Sequence, residues 1–448
     1  MLQPVPLRAR VPGAVSAAVT DIDGRPAVVT EIDPALKRGA LTQADGDTLA
    51  TAARTAREER VPLVAYLASS GADVGEGIAA LVGWGGAARE LVRCSGIVPI
   101  VLVVTGPAVS GPALLLGLAD IVIMTPDAYA FVSGPRMVTE FTGVPISTAA
   151  LGGPGTHSRS SGVTTFVAAD RGDADDLVAT LLAHLPANAD EEPPRLPTDD
   201  PVDRPTPEAG ALMPSTPTGS YDVRAVARAI VDDGELLELR AGWAANLVTA
   251  LATIGGRPVG IVANQPQTLA GTLDIAASQK GARFVAFCDA FNVPLLTLVD
   301  TPGFSPGKDL EWRGMIRHGA QLAFAYARAT VPRISLTLRK SYGGAFIVMD
   351  SKTMGNDLAL AWPTAEIAVM GAKGAVEILY RRSTPEERTA LEADYEERLL
   401  NPYRAAERGF LDAVIDPAES RREIDAALEV LSTKRERLMP RSHDNTPL

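Results

Sequence analysis

Only two cysteines occur in 448 residues, Cys94 and Cys288, both in apolar surroundings and without CxxC or Cys/His spacing. That scarcity argues against a disulfide framework and against a zinc site, and leaves buried core thiols. No long run of lysine and arginine appears, and the net charge is -12. A dedicated nucleic-acid surface needs clustered cations, so none is expected, although a local basic pocket for a phosphorylated small molecule stays open. Long apolar runs are absent too: the stretch 97–104 falls well short of a membrane span, and no basic and apolar leader opens the chain. The expected compartment is the cytoplasm, with no membrane partner. Asp300-Thr301-Pro302-Gly303 superficially resembles a nucleotide-hydrolase switch, but no GxxxxGK[ST] loop accompanies it. His157, His184, His318 and His443 show neither metal spacing nor a GxSxG partner, and read as structural or solvated.

What is present is repetition. The chain is too long for one ordinary core, and 46% hydrophobic residues, 40 glycines and only 5% aromatics suit an α/β protein with tight strand-to-helix turns. Pro62 against Pro294, Pro99 against Pro332, Gly111 against Gly344 and Gly134 against Gly371 recur at an offset of about 232 to 237 residues. So steady a spacing predicts two copies of one domain. Nine prolines between 186 and 217, among Asp, Glu and Thr, predict an extended linker between the copies. The expected division is 1–185, a linker 186–218, 219–435, and a tail 436–448.

Within the first copy, paired strands are expected over 13–30, a helix over 43–59, a strand over 62–67, a helix over 77–94 and a strand over 99–105. The second copy opens with an amphipathic helix over 224–233, then strands at 247–254, 258–264 and 295–299. Ser383-Thr384-Pro385-Glu386-Glu387 has the cap and first-turn chemistry of a helix start, and a last helix covers 419–431.

Each copy places a small-residue turn between an apolar strand and an apolar helix: Ser110-Gly111 before Pro112, and Tyr342-Gly343-Gly344-Ala345. Glycine admits close backbone approach, and the first N–H groups of a helix have no internal partner and lie at its positive end. Such turns can hold an oxygen that gains negative charge, or they can simply be tight packing turns. Two in register favour the first reading. Asp300 reads equally as the first residue of a strand-ending turn or as a wall of the site. Glu76 and Glu140 are the only nearby acid or base candidates, which suggests that the base comes from a cofactor or substrate.

At these residues the chain resembles a known family. Asp300-Thr301-Pro302-Gly303-Phe304, Arg339-Lys340-Ser341-Tyr342-Gly343-Gly344-Ala345 and Ala361-Trp362-Pro363-Thr364-Ala365-Glu366 look like the carboxyltransferase (beta) subunit of biotin-dependent acyl-CoA carboxylases. Lys280-Gly281-Ala282-Arg283-Phe284, Ala368-Val369-Met370-Gly371-Ala372, Leu151-Gly152-Gly153 and Ser133-Gly134-Pro135 match as well. The resemblance implies an α/β fold of two tandem crotonase-like (ClpP/crotonase) domains related by duplication, in a hexamer whose sites are shared between subunits. It implies biotin on a partner carrier, a biotin carboxylase or biotin carboxyl carrier subunit as partner, a coenzyme A ester as substrate and no metal. In that family carboxybiotin releases carbon dioxide, its nitrogen takes the α-proton of the acyl-CoA, and the enolate captures the carbon dioxide.

Carried over by position, Gly344 and Ala345 would donate to the biotin oxygen, and Ser110 and Gly111 to the thioester oxygen. Tyr342, Phe346, Ile347, Gly71, Ala72, Ser133 and Gly134 would form the substrate-binding set. Departures gather in the first half: Asp73 stands where arginine is usual, Ser110 replaces glycine and Pro112 follows the turn. Serine is tolerable there if its φ is negative. The same resemblance leaves two alternatives: a decarboxylase subunit running the reverse transfer, or a silent scaffold that binds the biotin carrier.

Overall fold

The computed structural model describes residues 3–7, 12–216, 218–434, 436–440 and 445–447; His443 and part of the expected tail lie outside them. The chain forms two compact units, one of Met1–Pro194 with Arg240–Trp243 and Ala290–Asn292, the other of the remaining residues.

In the first unit an eight-stranded sheet runs β1 (Val5–Pro6), β2 (Val15–Ile22), β3 (Arg25–Ile32), β4 (Leu63–Ser69), β5 (Ile100–Val109), β6 (Ile121–Met124), β8 (Phe166–Val167), with β7 (Tyr129–Phe131) paired to the end of β5. Its hairpin is antiparallel and the strands from β3 to β8 are parallel. Such strands are covered on both faces, which is why β4 is buried throughout. The helix Gln43–Glu59 starts where expected: Thr42 Oγ1 accepts Asp45 N–H at 3.2 Å, and Asp45 Oδ2 accepts Thr42 N–H at 2.9 Å. It crosses Ile78–Cys94 where Gly46 meets Gly83, so closely that a Cβ on Gly46 would lie 2.1 Å from the Gly83 backbone.

The second unit repeats this order with β9 (Leu237–Glu238), β10 (Leu247–Ile254), β11 (Arg257–Asn264), β12 (Leu295–Thr301), β13 (Arg333–Tyr342), β14 (Leu358–Ala361) and β16 (Ala413–Val414), and β15 (Glu366–Ala368) pairs with the end of β13. Backbone detail repeats as well. The left-handed residues Lys37, Arg38, Gly39, Arg60, Gly71 and Ser110 return about 232 residues on as Leu269, Ala270, Gly271, Asn292, Gly303 and Gly343. The pairing shift between Leu67 and Ser69 returns between Val299 and Thr301.

The described residues between 186 and 218 run through bends, turns, irregular backbone and one short helix, and those from Arg195 onward belong to the second unit. A short helix, Pro207–Ala211, buries Ala209 in the core with Val226 and Ile424, and Thr206 donates to Pro417 O at 2.8 Å. Cys94 and Cys288 are both buried and unpaired, as the composition implied, and burial pushes the Cys94 thiol up to about 11. Among the described residues no helix is long and apolar enough to cross a membrane.

Candidate active site

In the second unit β13 ends at Tyr342 and the helix Gly343–Val348 begins with no side chain capping it. Gly343 has φ +58°, a conformation that favours glycine, and an added Cβ there would stand 3.2 Å from Val369 O. Gly344 is exposed, and Ala345 behind it is fully buried. The first amides of this helix are its orphan donors. Beside this helix start lies a cavity of about 540 Å³ lined by Gly343, Gly344, Phe346, Ile347 and Val369, with Tyr395, Leu399, Arg404, Arg408 and Phe410 from the C-terminal part of the chain. Phe304 closes in beside the turn: a Cβ on Gly344 would lie 3.5 Å from its ring.

Phe346 and Ile347 therefore reach the cavity together with Gly344, whereas Tyr342 does not. Its side chain packs with Ala372, Ala375, Tyr395 and Leu400, and its hydroxyl donates to Glu366. Burial and that carboxylate push the phenol well above its ordinary value. Asp300 is not in the cavity wall either. It is 1% exposed and fully bonded within the protein, and the residue of the same motif that meets the turn is Phe304, against Gly344. The C-terminal wall had no sequence signal, because Arg404 and Arg408 sit in an ordinary polar helix and loop.

The first unit builds its turn differently. Ser110 has φ 62° and ψ -122°, not the negative φ that serine prefers, and its N–H donates to Phe131 O at 2.9 Å. Gly111 opens the helix Gly111–Leu115 but is buried: Trp84 lies on it so tightly that a Cβ would come 2.6 Å from the indole. By the shared register Gly111 and Pro112 occupy the places of Gly344 and Ala345, and Pro112 has no N–H. The turn thus keeps one main-chain donor where the second unit has two.

Of the remaining first-half candidates, one meets this turn directly. Gly71, φ 114°, stands beside it, since an added Cβ would be 3.4 Å from Val109 O and 3.9 Å from Ser110 Cβ. Ala72 bridges to Leu41, and Ser133 and Gly134 follow β7, whose Phe131 faces Val109. Asp73 is paired with Lys37 at 2.6 Å and caps Gly75 N–H at 2.9 Å, interactions that hold its carboxyl below the usual range. Glu76 accepts Gln43 N–H and Glu140 pairs with Arg136, so both are occupied structurally. His157 joins Ser161 to Ala130 O, and His184 and His318 make local bonds. Among the described residues no group of His, Cys, Asp and Glu is arranged to hold a metal.

Comparison with known proteins supplies the context. The family model for the carboxyl transferase domain matches residues 7–446. The propionyl-CoA carboxylase beta chain of Saccharopolyspora erythraea is 42% identical over 446 residues, covering 95% of this chain and 82% of that one. The biotin-dependent acetyl-/propionyl-coenzyme A carboxylase beta5 subunit of Mycobacterium tuberculosis is 41% identical over 445 residues, covering 95% and 81%. A crystal structure of transcarboxylase 12S, a hexamer with methylmalonyl-coenzyme A and methylmalonic acid bound, superposes with a TM-score of 0.95 at 41% identity over 97% of this chain and 85% of that one.

Proposed function

We propose, from the premise that the chain belongs to the carboxyl transferase family, that its second unit carries the carboxyl-transfer turn, with the amides of Gly344 and Ala345 as donors to an anionic oxygen. The chain is a carboxyltransferase subunit of the propionyl-CoA carboxylase type, its units crotonase-like as the resemblance implied. It acts with biotin carried on a partner subunit and with a coenzyme A ester.

The observation that carries the site assignment is the uncapped start of the helix Gly343–Val348, where Gly343 and the exposed Gly344 line an apolar cavity of about 540 Å³. Those residues suit a compact ureido ring system: donors at one end, Phe346 and Ile347 as an apolar wall that excludes water, and Phe304 packed beside Gly344. Biotin supplies the carboxyl group and a basic nitrogen. The chain supplies donors fixed before reaction, which is the most effective form of charge stabilisation. In the first unit Gly111 holds the thioester oxygen alone, because the Ser110 N–H is taken by Phe131 O and Pro112 has none. Gly71, Ala72, Ser133 and Gly134 shape the acyl-CoA side around it, and Phe346 and Ile347 the acyl group. The working form is a hexamer in the cytoplasm, like the assembly of transcarboxylase 12S, with each site completed by a second copy.

The test is a transfer assay with carboxylated biotin carrier and a panel of acyl-CoA esters, run on the wild type and on Gly344→Val. Carboxylated product that disappears in the variant while the oligomer persists supports the reading. Undiminished turnover in the variant removes Gly344 from the reaction, and carrier binding without product from any ester favours a scaffold.

A further inference from the structure

We propose that Tyr221, Asp300 and Arg339 form a positioning cluster that holds the carboxyl-transfer turn of the second unit in its working shape; this rests on the role given above to Gly344 and Ala345. The cluster is buried and fully connected. Asp300 Oδ2 accepts the Tyr221 hydroxyl at 2.8 Å and Arg339 Nε at 3.1 Å, and Oδ1 accepts Lys340 N–H at 3.1 Å. Arg339 Nη1 donates to Gly219 O at 2.8 Å, and its guanidinium lies 5.3 Å from the Tyr221 ring centre. The Asp300 N–H donates to Asn264 Oδ1 at 3.2 Å.

Its location gives it leverage over the turn. β12 and β13 pair regularly as far as Val299 and Thr337, then shift register, and pairing resumes at Thr301 and Ser341. Asp300 sits inside that shift, and its carboxylate takes the Lys340 N–H in place of a strand partner. Downstream of the shift, one strand leads to Phe304 and the other to Gly343, the two sides of the turn that meet at Gly344. Fixing the strand ends fixes the distance between Phe304 and the amide donors.

The first unit shows that the fold does not need such a cluster. It makes the same register shift between Leu67 and Ser69 with Ala68 and Gly106 at the corresponding places, where a Cβ on Gly106 would lie 3.2 Å from Ala68 Cβ. Burying a carboxylate and a guanidinium is costly, and well-packed small residues often serve stability as well or better. A device that the fold can omit, retained beside the open turn and absent beside the covered one, serves the geometry of the open turn. It acts through Phe304 and the backbone, so its members are positioning residues and not catalytic ones.

The experiment compares Tyr221→Phe and Asp300→Asn with wild type in the complete assembly, reading kcat and KM for acyl-CoA with carboxylated biotin carrier, the thermal midpoint and the oligomer size. Tyr221→Phe should keep the assembly, the midpoint and KM while kcat falls about tenfold, and Asp300→Asn should lose about 100-fold, the scale of a small misplacement of reacting groups. A lowered midpoint with wild-type kcat per folded subunit in Tyr221→Phe overturns the proposal, and this variant decides alone if Asp300→Asn does not fold. Gly344→Val, measured alongside, separates the two failures: if it remains active the reading of the turn is wrong, and if it is dead while Tyr221→Phe matches wild type only the cluster is wrong.

Discussion

The two units share a backbone and differ in what they leave open. Both have the same strand order, the same register shift and left-handed residues at matching places. Yet Gly344 is exposed and lines a cavity, whereas Gly111 is buried under Trp84. Ala345 offers an N–H, and Pro112 offers none. One turn is backed by a buried charged cluster, and the other by Ala68 and Gly106. The repeat keeps what the chain path requires and differs in exposure and donors at the turn, so a common fold does not make the two turns equivalent.

The sharpest break in that comparison comes from valine at each glycine. Gly344→Val should cut carboxyl transfer by about 100- to 1,000-fold with the assembly intact, because it displaces preorganised donors. Gly111→Val should instead act first on folding, since Trp84 already occupies the space for its side chain. With alanine the contrast moves to stability. Gly111→Ala should cost about 1–3 kcal/mol in urea unfolding through overpacking against the indole, whereas Gly344→Ala meets Phe304 only at ordinary contact distance and should change stability little.

Returning the missing donor tests the asymmetry from the other side. Pro112→Ala should raise kcat by about tenfold if the thioester oxygen is held at Gly111, since a second aligned N–H is worth at least that much. No change would mean that the reacting oxygen is stabilised elsewhere. A smaller effect belongs to Ser110→Gly, which should gain about 1 kcal/mol by relieving a backbone conformation disfavoured for serine.

A further contrast is a pH dependence carried by Asp350 of the second unit. Burial pushes the carboxyl of Asp350 up to about 7 even beside Arg333. An unfolded aspartate ionises near pH 4, so folding takes up a proton between those values and stability falls as pH rises through the window, then levels above about 7. The thermal midpoint should therefore drop between pH 5.5 and 8, and Asp350→Asn should flatten the slope.

Much of this was readable from residues alone where local rules dominate. The helical spacing over 43–59, the paired strands over 13–30 and the offset of Pro99 against Pro332 announced helix, hairpin and duplication, and the elements lie close to the expected ranges. Gly344, Phe346 and Ile347 were found because a short motif carries them together. Three things were hidden. The φ of Ser110 follows from the path of β5 and not from serine's own preference. The approach of Trp84 to Gly111 is a contact between residues distant in sequence. The burial of Asp300 depends on Tyr221, which enters from the far side of the proline-rich stretch.

The most direct measurement is a crystal structure of the assembled protein with biotin and an acyl-CoA bound. The account predicts a biotin oxygen within about 3 Å of the Gly344 and Ala345 amide nitrogens, between Phe304 and Ile347. Ligand bound elsewhere, with those amides facing no oxygen, would contradict it.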